Sequence, residues 1–509
     1  GSAGCAVAAR LSEDGRQRVL LLEAGGRDLD PLIRVPMAAG LVYFRRSINW
    51  NLEIVPQRHM DGRTVPWPRG KVLGGSSAIN GMMYMRGHRR DYDDWAQLGL
   101  SGWSHAEVLP YFRRAEDHPE RAGDPFHGLG GPVRVGRARG ANPLYRAFLD
   151  AAFAAAPEHG ARPNDDFNGA EQEGLGLYDF TIRDGRRESA ATAYLRPARG
   201  RRNLEVRTRA LVRRVEIEAG RATGVTLRRE GRDETLRARR EVILCAGAVA
   251  SPGILERSGV GDPEVLRAIG VEPVVARPAV GENLHDHLGV YLTYACAKPV
   301  TLYGLMRADR ALMAGARALL LGEGPATSVP LEAGGFLRTR PELEIPDIHM
   351  TFVPGLNLET TQAGQGRHGY LINFYPLRPE SRGSVHVRSP EPDAQPEIDP
   401  NYLAAEADRR VMRDGVRLAE RIGAAAPFDA WRAGRISPEA PLETDAEIDA
   451  WVRANANTIF HPVGSCRMGA DADAVVDAEL RVRGVEGLRV ADASVMPRVV
   501  GGNTSAPAM

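Results

Sequence analysis

The first twenty-three residues constrain the fold more than any other stretch of the chain. Gly1-Ser2-Ala3-Gly4 leads into Cys5–Leu11, where Val7 and Leu11 share one helical face, and then a polar turn over Ser12–Gln17. An apolar run, Arg18-Val19-Leu20-Leu21-Leu22, follows and ends in Glu23-Ala24-Gly25-Gly26. Helix, turn, strand and acid come in the order of the second half of a dinucleotide-binding βαβ unit. Gly1 and Gly4 stand where the second and third glycines of G-x-G-x-x-G belong. The second lets backbone amides approach a pyrophosphate, and the third lets helix and strand pack closely. Glu23 lies nineteen residues after Gly4, at the carboxyl end of the strand, where a carboxylate can accept from ribose hydroxyls. The first glycine and the strand before it are absent. The pattern is therefore that of a chain cut at its N-terminus, or an accidental Gly/Ala-rich helix start. An acid at the ribose position disfavours NADP and leaves NAD and FAD open.

Length and charge narrow the classes. At ~150 residues per domain, 509 residues suggest about three domains, with a core large enough to need no disulfide or metal. Lys+Arg (66) and Asp+Glu (65) cancel to +1, which excludes nucleic acid as an evident partner. Only Lys71 and Lys298 are lysines, a coding bias that points to a GC-rich bacterial source. The longest membrane candidate, Ala311–Leu321, is short and interrupted by Gly315 and Arg317, so no transmembrane helix is expected. Cys5, Cys245, Cys296 and Cys466 are scattered, as free thiols of a cytoplasmic protein would be, with peripheral contact at the inner membrane as the alternative. His285-Asp286-His287 has no further ligand cluster near it. It reads as a structural polar turn, and no metal is expected.

Arg69-Gly70-Lys71-Val72-Leu73-Gly74-Gly75-Ser76-Ser77-Ala78-Ile79-Asn80-Gly81 is the second informative stretch, a glycine-serine loop able to meet phosphate or a polar ring edge. Continued through Met82-Met83-Tyr84-Met85-Arg86-Gly87 to Asp93, it resembles the first signature of the glucose-methanol-choline oxidoreductase family. Gly247-Ala248-Val249-Ala250-Ser251-Pro252-Gly253-Ile254-Leu255-Glu256-Arg257-Ser258-Gly259-Val260-Gly261 resembles the second. Further similarity lies in Val280–His287, His461–Gly469, Val490–Pro497 and Gly502–Pro507.

The resemblance implies an α/β fold in which a doubly wound, Rossmann-like FAD-binding domain (1–105, 205–290 and 455–509) interleaves with an α+β substrate domain. The latter, 106–204 and 291–454, carries an antiparallel sheet that roofs the site. Alternation in Leu204–Glu218, Ala222–Leu236, Asp347–Phe352 and Ser384–Val387 suits strands, and Asp445–Asn455, after capping-box Thr444 and Glu447, suits an amphipathic helix. Pro/Gly-rich 119–143 and 354–367 read as surface loops.

The activity implied is FAD-dependent oxidation of a primary alcohol, choline among the candidates, to the aldehyde. It would proceed by proton abstraction and hydride transfer to flavin N5, with a quinone or oxygen as final acceptor and a dehydrogenase favoured over an oxidase. His461 is then the base, suited by an imidazole pKa of ~6.5, and Asn503 donates to the substrate oxygen. Gly1, Gly4, Glu23, Gly74, Ser76, Asn80, Gly81, Met82, Val212, Asp492, Ala493 and Thr504 are the implied FAD contacts. Glu332, in Pro330–Phe336, faces a substrate cation or serves structure. Other flavin chemistry, a photodecarboxylase or a lyase, is the runner-up. A fragment without catalysis is a third reading, since the chain also stops at Met509, beside the Asn503 loop; a chain cut at both ends would hold FAD weakly.

In the family that the chain resembles, some choline-oxidising members attach FAD covalently through a histidine just before the asparagine of the first signature. Here that position is Ile79, which has no nucleophilic atom. FAD is therefore expected to be non-covalent: acid precipitation should leave all the flavin in the supernatant, and colour in the pellet would contradict this.

Overall fold

The computed structural model describes residues 1–305, 307–356 and 366–509, so most of the loop expected at 354–367 lies outside the described residues. Helix α1 (Ser2–Leu11) buries its small face, Ala3 to Ala6 with Ala8 and Ala9, and precedes strand β1 (Val19–Glu23). Helix α2 (Pro143–Ala155) starts where the Asn142 side chain accepts the Leu144 N–H at 3.0 Å, and strand β2 (Gly174–Leu177) comes after it. Strand β3 (Leu204–Thr208) pairs in parallel with β1, Val19 opposite Leu204. Strands β4 (Leu211–Glu218), β5 (Arg221–Arg229) and β6 (Arg232–Arg237) form an antiparallel meander. Strand β7 (Val242–Leu244) leads into α3 (Gly247–Arg257).

The second half supplies strands β8 (Leu288–Cys296), β9 (Ala333–Leu337), β10 (Ile348–Val353) and β11 (Gly369–Pro376), then helix α4 (Glu406–Ala424). Strand β12 (Arg432–Ser437), helix α5 (Asp445–Asn455) and strand β13 (Leu488–Val490) come next, β13 running parallel to β7. The capping box at Thr444 forms as its spacing predicts.

One expectation needs refining. Leu204–Glu218 reads as a single strand, but the chain breaks at Arg209, whose φ is +57°. The Arg209 and Ala210 N–H groups bond to Gly25 and Glu23 carbonyls at 2.8 and 2.9 Å, so β3 joins β1 and only β4 joins the meander. Alternation reports which face is buried, and the partner strand lies outside its reach.

The antiparallel sheet has the order β12-β8-β11-β10-β9-β2, with Asn457–Thr458 added to β8. All of β11 is buried. Its side chains alternate between two layers: Tyr370, Ile372 and Phe374 belong to the main apolar core with Phe148, Phe352 and Phe428. Leu371, Asn373 and Tyr375 instead line a large cavity between the sheet and the parallel strands. The sheet is thus core on one face and site on the other.

A buried ionic chain ties 106–204 to the loop after Met82. Arg86 Nη2 bonds Glu116 Oε2 at 2.8 Å, and His127 lies 3.1 Å from both Glu116 and Asp166 carboxylates. Burial works against the His127 charge, but hydrogen bonds to Asp166 and Glu116 outweigh it and push the pKa up to about 9. His386, between Glu256 and Glu282, is pushed up to about 10 in the same way. Both folded pKa values lie above the ordinary histidine value. Their stabilisation is therefore complete below pH ~6.5 and is lost as pH climbs through about 9 to 10. The melting temperature should fall across that window, and His127→Gln should flatten the fall; a melting temperature that rises there would contradict the assignment.

Candidate functional site

The cavity, about 2500 Å³, runs from α1 and β1 to the inner face of the antiparallel sheet. Its far end is built around His461. The backbone N–H of His461 donates to Asp286 Oδ1 at 2.6 Å, while Asp286 Oδ2 accepts from the Tyr402 and Thr458 hydroxyls, both at 2.5 Å. In the ring, Nδ1 lies 2.9 Å from Nδ1 of His287, and Nε2 lies 3.1 Å from Asn503 Nδ2. His287 Nε2 is 2.9 Å from the Leu377 carbonyl. Burial pushes the His461 pKa well below the ordinary value, reinforced by His287, so the imidazole is neutral at pH 7. Burial also takes His287 down to about 4. Among the described residues, Asn503 Oδ1 is buried without a hydrogen-bond partner.

His285, the first member of the same triplet, fixes the other strand of the site. Its Nδ1 faces the Asn283 carbonyl at 2.7 Å, and its Nε2 accepts the Val499 N–H at 2.9 Å, four residues before Asn503. His285-Asp286-His287, read from the sequence as a structural polar turn, anchors the backbone of His461, its ring, and the segment that carries Asn503. The triplet is visible in the sequence, but the residues it meets lie about 175 and 215 positions away.

The near end is a backbone surface. A Cβ on Gly4 would meet Cys245 Cβ at 3.2 Å and Leu21 Cδ1 at 3.6 Å, so α1 lies close against β1 and the segment after β7. No side chain caps the N-terminus of α1, which leaves its first N–H groups and its positive dipole end at the cavity wall. Glu23 Oε1 accepts from Gly25 N at 2.9 Å, and Oε2 lies 3.2 Å from the Gly1 nitrogen. Gly1, Gly4, Glu23, Ser76, Asn80, Gly81, Met82, Val212, Asp492, Ala493, His461, Asn503 and Thr504 all line the one cavity. Gly74 does not: a Cβ there would meet Ala191, and its neighbour Gly75 forms the wall.

The loop that carries Asn80 is held under strain. Met82 sits at φ +61°, rare for a bulky residue, and its N–H donates to Asn80 Oδ1 at 3.1 Å. Arg187, fully buried, donates to Asn80 Oδ1 at 2.8 Å and to the Ile33 carbonyl at 2.9 Å. Burial lowers its pKa to about 10, still charged at pH 7. Arg187 is a residue the motif reading missed, lying between signatures in a stretch with no pattern of its own. Asp492 spends both oxygens inside the protein: Oδ2 on Gly247 N and Ser251 Oγ, Oδ1 on Ser494 N and Oγ. Glu332 is buried, accepts from Gly140 N at 3.1 Å and from the Ser328 hydroxyl, and is absent from the cavity wall. Its place is structural.

Uncapped amides at a helix start, a carboxylate at the adjoining strand end and a large cleft reaching a buried imidazole fit a flavin dinucleotide. GMC oxidoreductase family models match residues 1–289 and 379–509, and the chain belongs to that family. It is an FAD-dependent oxidoreductase acting on CH–OH donors. The chain is 42% identical to an oxygen-dependent choline dehydrogenase of Brucella anthropi and 43% identical to one of Rhizobium etli, in each case over all of this chain and 92% of the relative. Among solved structures, pyridoxine 4-oxidase from Mesorbium loti superposes with a TM-score of 0.91 at 35% identity, covering 100% of this chain and 95% of the other. A formate oxidase reaches 0.91 at 26% identity, covering 100% and 94%. This coverage gives no support to the expectation of a fragment cut at both ends.

Gly75 is where the fit can be tested. Its φ is +56°, and a Cβ would lie 2.6 Å from Gly1 Cα, so a side chain there must push α1 away from the loop. Gly75→Ala should weaken FAD binding by ~10-fold or more, about 1.4 kcal/mol, in a fluorescence titration. Unchanged affinity would remove this contact from the cofactor site.

Proposed function

We propose that the enzyme oxidises a primary alcohol to the aldehyde, with His461 as the base that takes the hydroxyl proton on Nε2. The observation that carries this reading is the buried, neutral His461 in the cavity wall, with the side-chain amide nitrogen of Asn503 3.1 Å from its Nε2. The substrate oxygen would accept from Asn503 as its own proton leaves, so negative charge never builds on an unsupported oxygen. Because the imidazole is uncharged before the step, it needs no prior deprotonation at neutral pH. Asp286 holds the backbone of His461 and does not touch its ring, so the base keeps a low basicity set by burial.

Bound non-covalently, FAD supplies the two-electron acceptor for the carbon-bound hydrogen. The N-terminal amides of α1 with Gly1 and Gly4 would meet its pyrophosphate, Glu23 its ribose and Val212 its adenine. Asn80, Gly81 and Met82, held by Arg187, would meet the reactive edge of the ring, with Ser76, Asp492, Ala493 and Thr504 along its length. Residues 1–105, 205–290 and 455–509 would form the cofactor domain, and 106–204 with 291–454 the substrate domain. Choline is the first substrate candidate, given the relatives named as choline dehydrogenases. Its cation would rest on aromatic rings such as Tyr43, Phe460 and Tyr291, which line the cavity, and Glu332 would take no part. Oxygen or a quinone would reoxidise the flavin.

The test is anaerobic flavin bleaching by choline, benzyl alcohol and a long alkanol, followed by admission of air to separate oxygen from other acceptors. His461→Ala should slow bleaching by ~10²-fold or more. An unchanged rate would remove His461 from the mechanism.

A further inference from the structure

Three hydrogen bonds in a row decide which nitrogen of His461 is free. The Leu377 carbonyl, buried and able only to accept, lies 2.9 Å from His287 Nε2. That nitrogen must therefore carry a proton. A neutral imidazole has one N–H, so His287 Nδ1 presents a lone pair. His461 Nδ1, 2.9 Å away, must donate to it. His461 then has no proton left for Nε2, and the Asn503 atom 3.1 Å from Nε2 must be the amide nitrogen. The opposite arrangement turns the lone pair of His287 Nε2 against that of the Leu377 carbonyl in a place water does not reach. Both rings are buried and uncharged at neutral pH, so each carries a single N–H.

We infer that His287 is a positioning residue that locks His461 in its Nδ1–H tautomer and so keeps Nε2 bare toward the cavity. The inference rests on the reading of His461 as the base. His287 is not part of the cavity wall. It does for the ring what a carboxylate does in a Ser-His-Asp arrangement, but without charge. Asp286, the adjacent carboxylate, has both oxygens committed to Tyr402, Thr458 and the His461 backbone. The other groups facing the pair are Tyr375, with ring centroids 4.8 Å from His287 and 5.9 Å from His461, and His349 and Arg69 toward His461. Asp91 and Arg378 act on His287 from farther off and with opposite sign.

Nitrogen-15 NMR of histidine-labelled protein reads the tautomer directly, with His461 assigned by its disappearance in His461→Ala. The expected result is a protonated Nδ1 and a bare Nε2; a protonated Nε2 overturns the proposal. Anaerobic flavin reduction across pH gives the kinetic counterpart. His287→Phe removes the acceptor and should slow the limiting rate by ~10-fold or more, with the alcohol dissociation constant little changed. His287→Asn keeps an oxygen acceptor where Nδ1 stood and should recover most of that loss. His287→Asp places a negative charge there and should move the acid limb of the profile to higher pH. Equal rates for the Phe and Asn variants, or an acid limb that stays in place with Asp, would overturn it. Should the Phe variant not fold, the tautomer and the Asn–Asp pair still decide. If His461→Ala leaves reduction unchanged, the base reading falls and this inference falls with it. If His461→Ala is slow but the tautomer is the opposite one, the inference alone fails.

Discussion

The site depends on the buried carboxylate of Asp286 and the two histidines that flank it. Asp286 lies in a region of low dielectric, where an unpaired carboxylate is unfavourable, and burial raises its pKa accordingly. It is satisfied by Tyr402, by Thr458 and by the backbone of His461. That requirement brings the segments near 286, 402 and 460 to one point. His285 does the same for Val499, and with it for Asn503. The proposed base and its amide partner come from remote parts of the chain, yet their separation is fixed because three consecutive residues hold both.

The cavity has walls of two physical kinds. Toward α1 and β1 it is a surface of backbone amides, small residues and one carboxylate, suited to phosphates and ribose. Toward the antiparallel sheet it is a surface of side chains from alternate positions of β11 and β10. The reacting region lies where the two meet, at the Asn80–Met82 loop and His461. The positive φ of Met82 and the buried guanidinium of Arg187 show that the loop is held in a conformation it would not adopt alone. Rigidity there is imposed by tertiary contacts and owes little to local propensity.

Much of this was legible in the residues. Glu23 at the end of β1, the capping box at Thr444 and the strand at Asp347–Phe352 follow from spacing and periodicity, which are local properties. The partner of Leu204–Thr208 was not legible, because alternation carries no record of which strand lies beside it. Gly74 and Gly75 could not be told apart, since only the approach of Gly1 selects one of them as the wall. Glu332 could be read from the sequence as facing a cation or as structural, and the bonds from Gly140 and Ser328 that occupy it are tertiary.

The sequence by itself determined the class of chemistry: glycine spacing and one acid point to a dinucleotide, and the two signature stretches, through their resemblance to the family, make it FAD and an alcohol oxidation. These are short-range patterns, and they survive without knowledge of the fold. The tertiary structure alone decided which nitrogen of His461 is free, what holds the loop at Asn80 and which charges are already paired. Each of those depends on hydrogen bonds between groups 90 to more than 200 residues apart, such as Leu377 with His287 and Val499 with His285. A donor's direction is set by the atom it meets, and that atom is brought there only by folding.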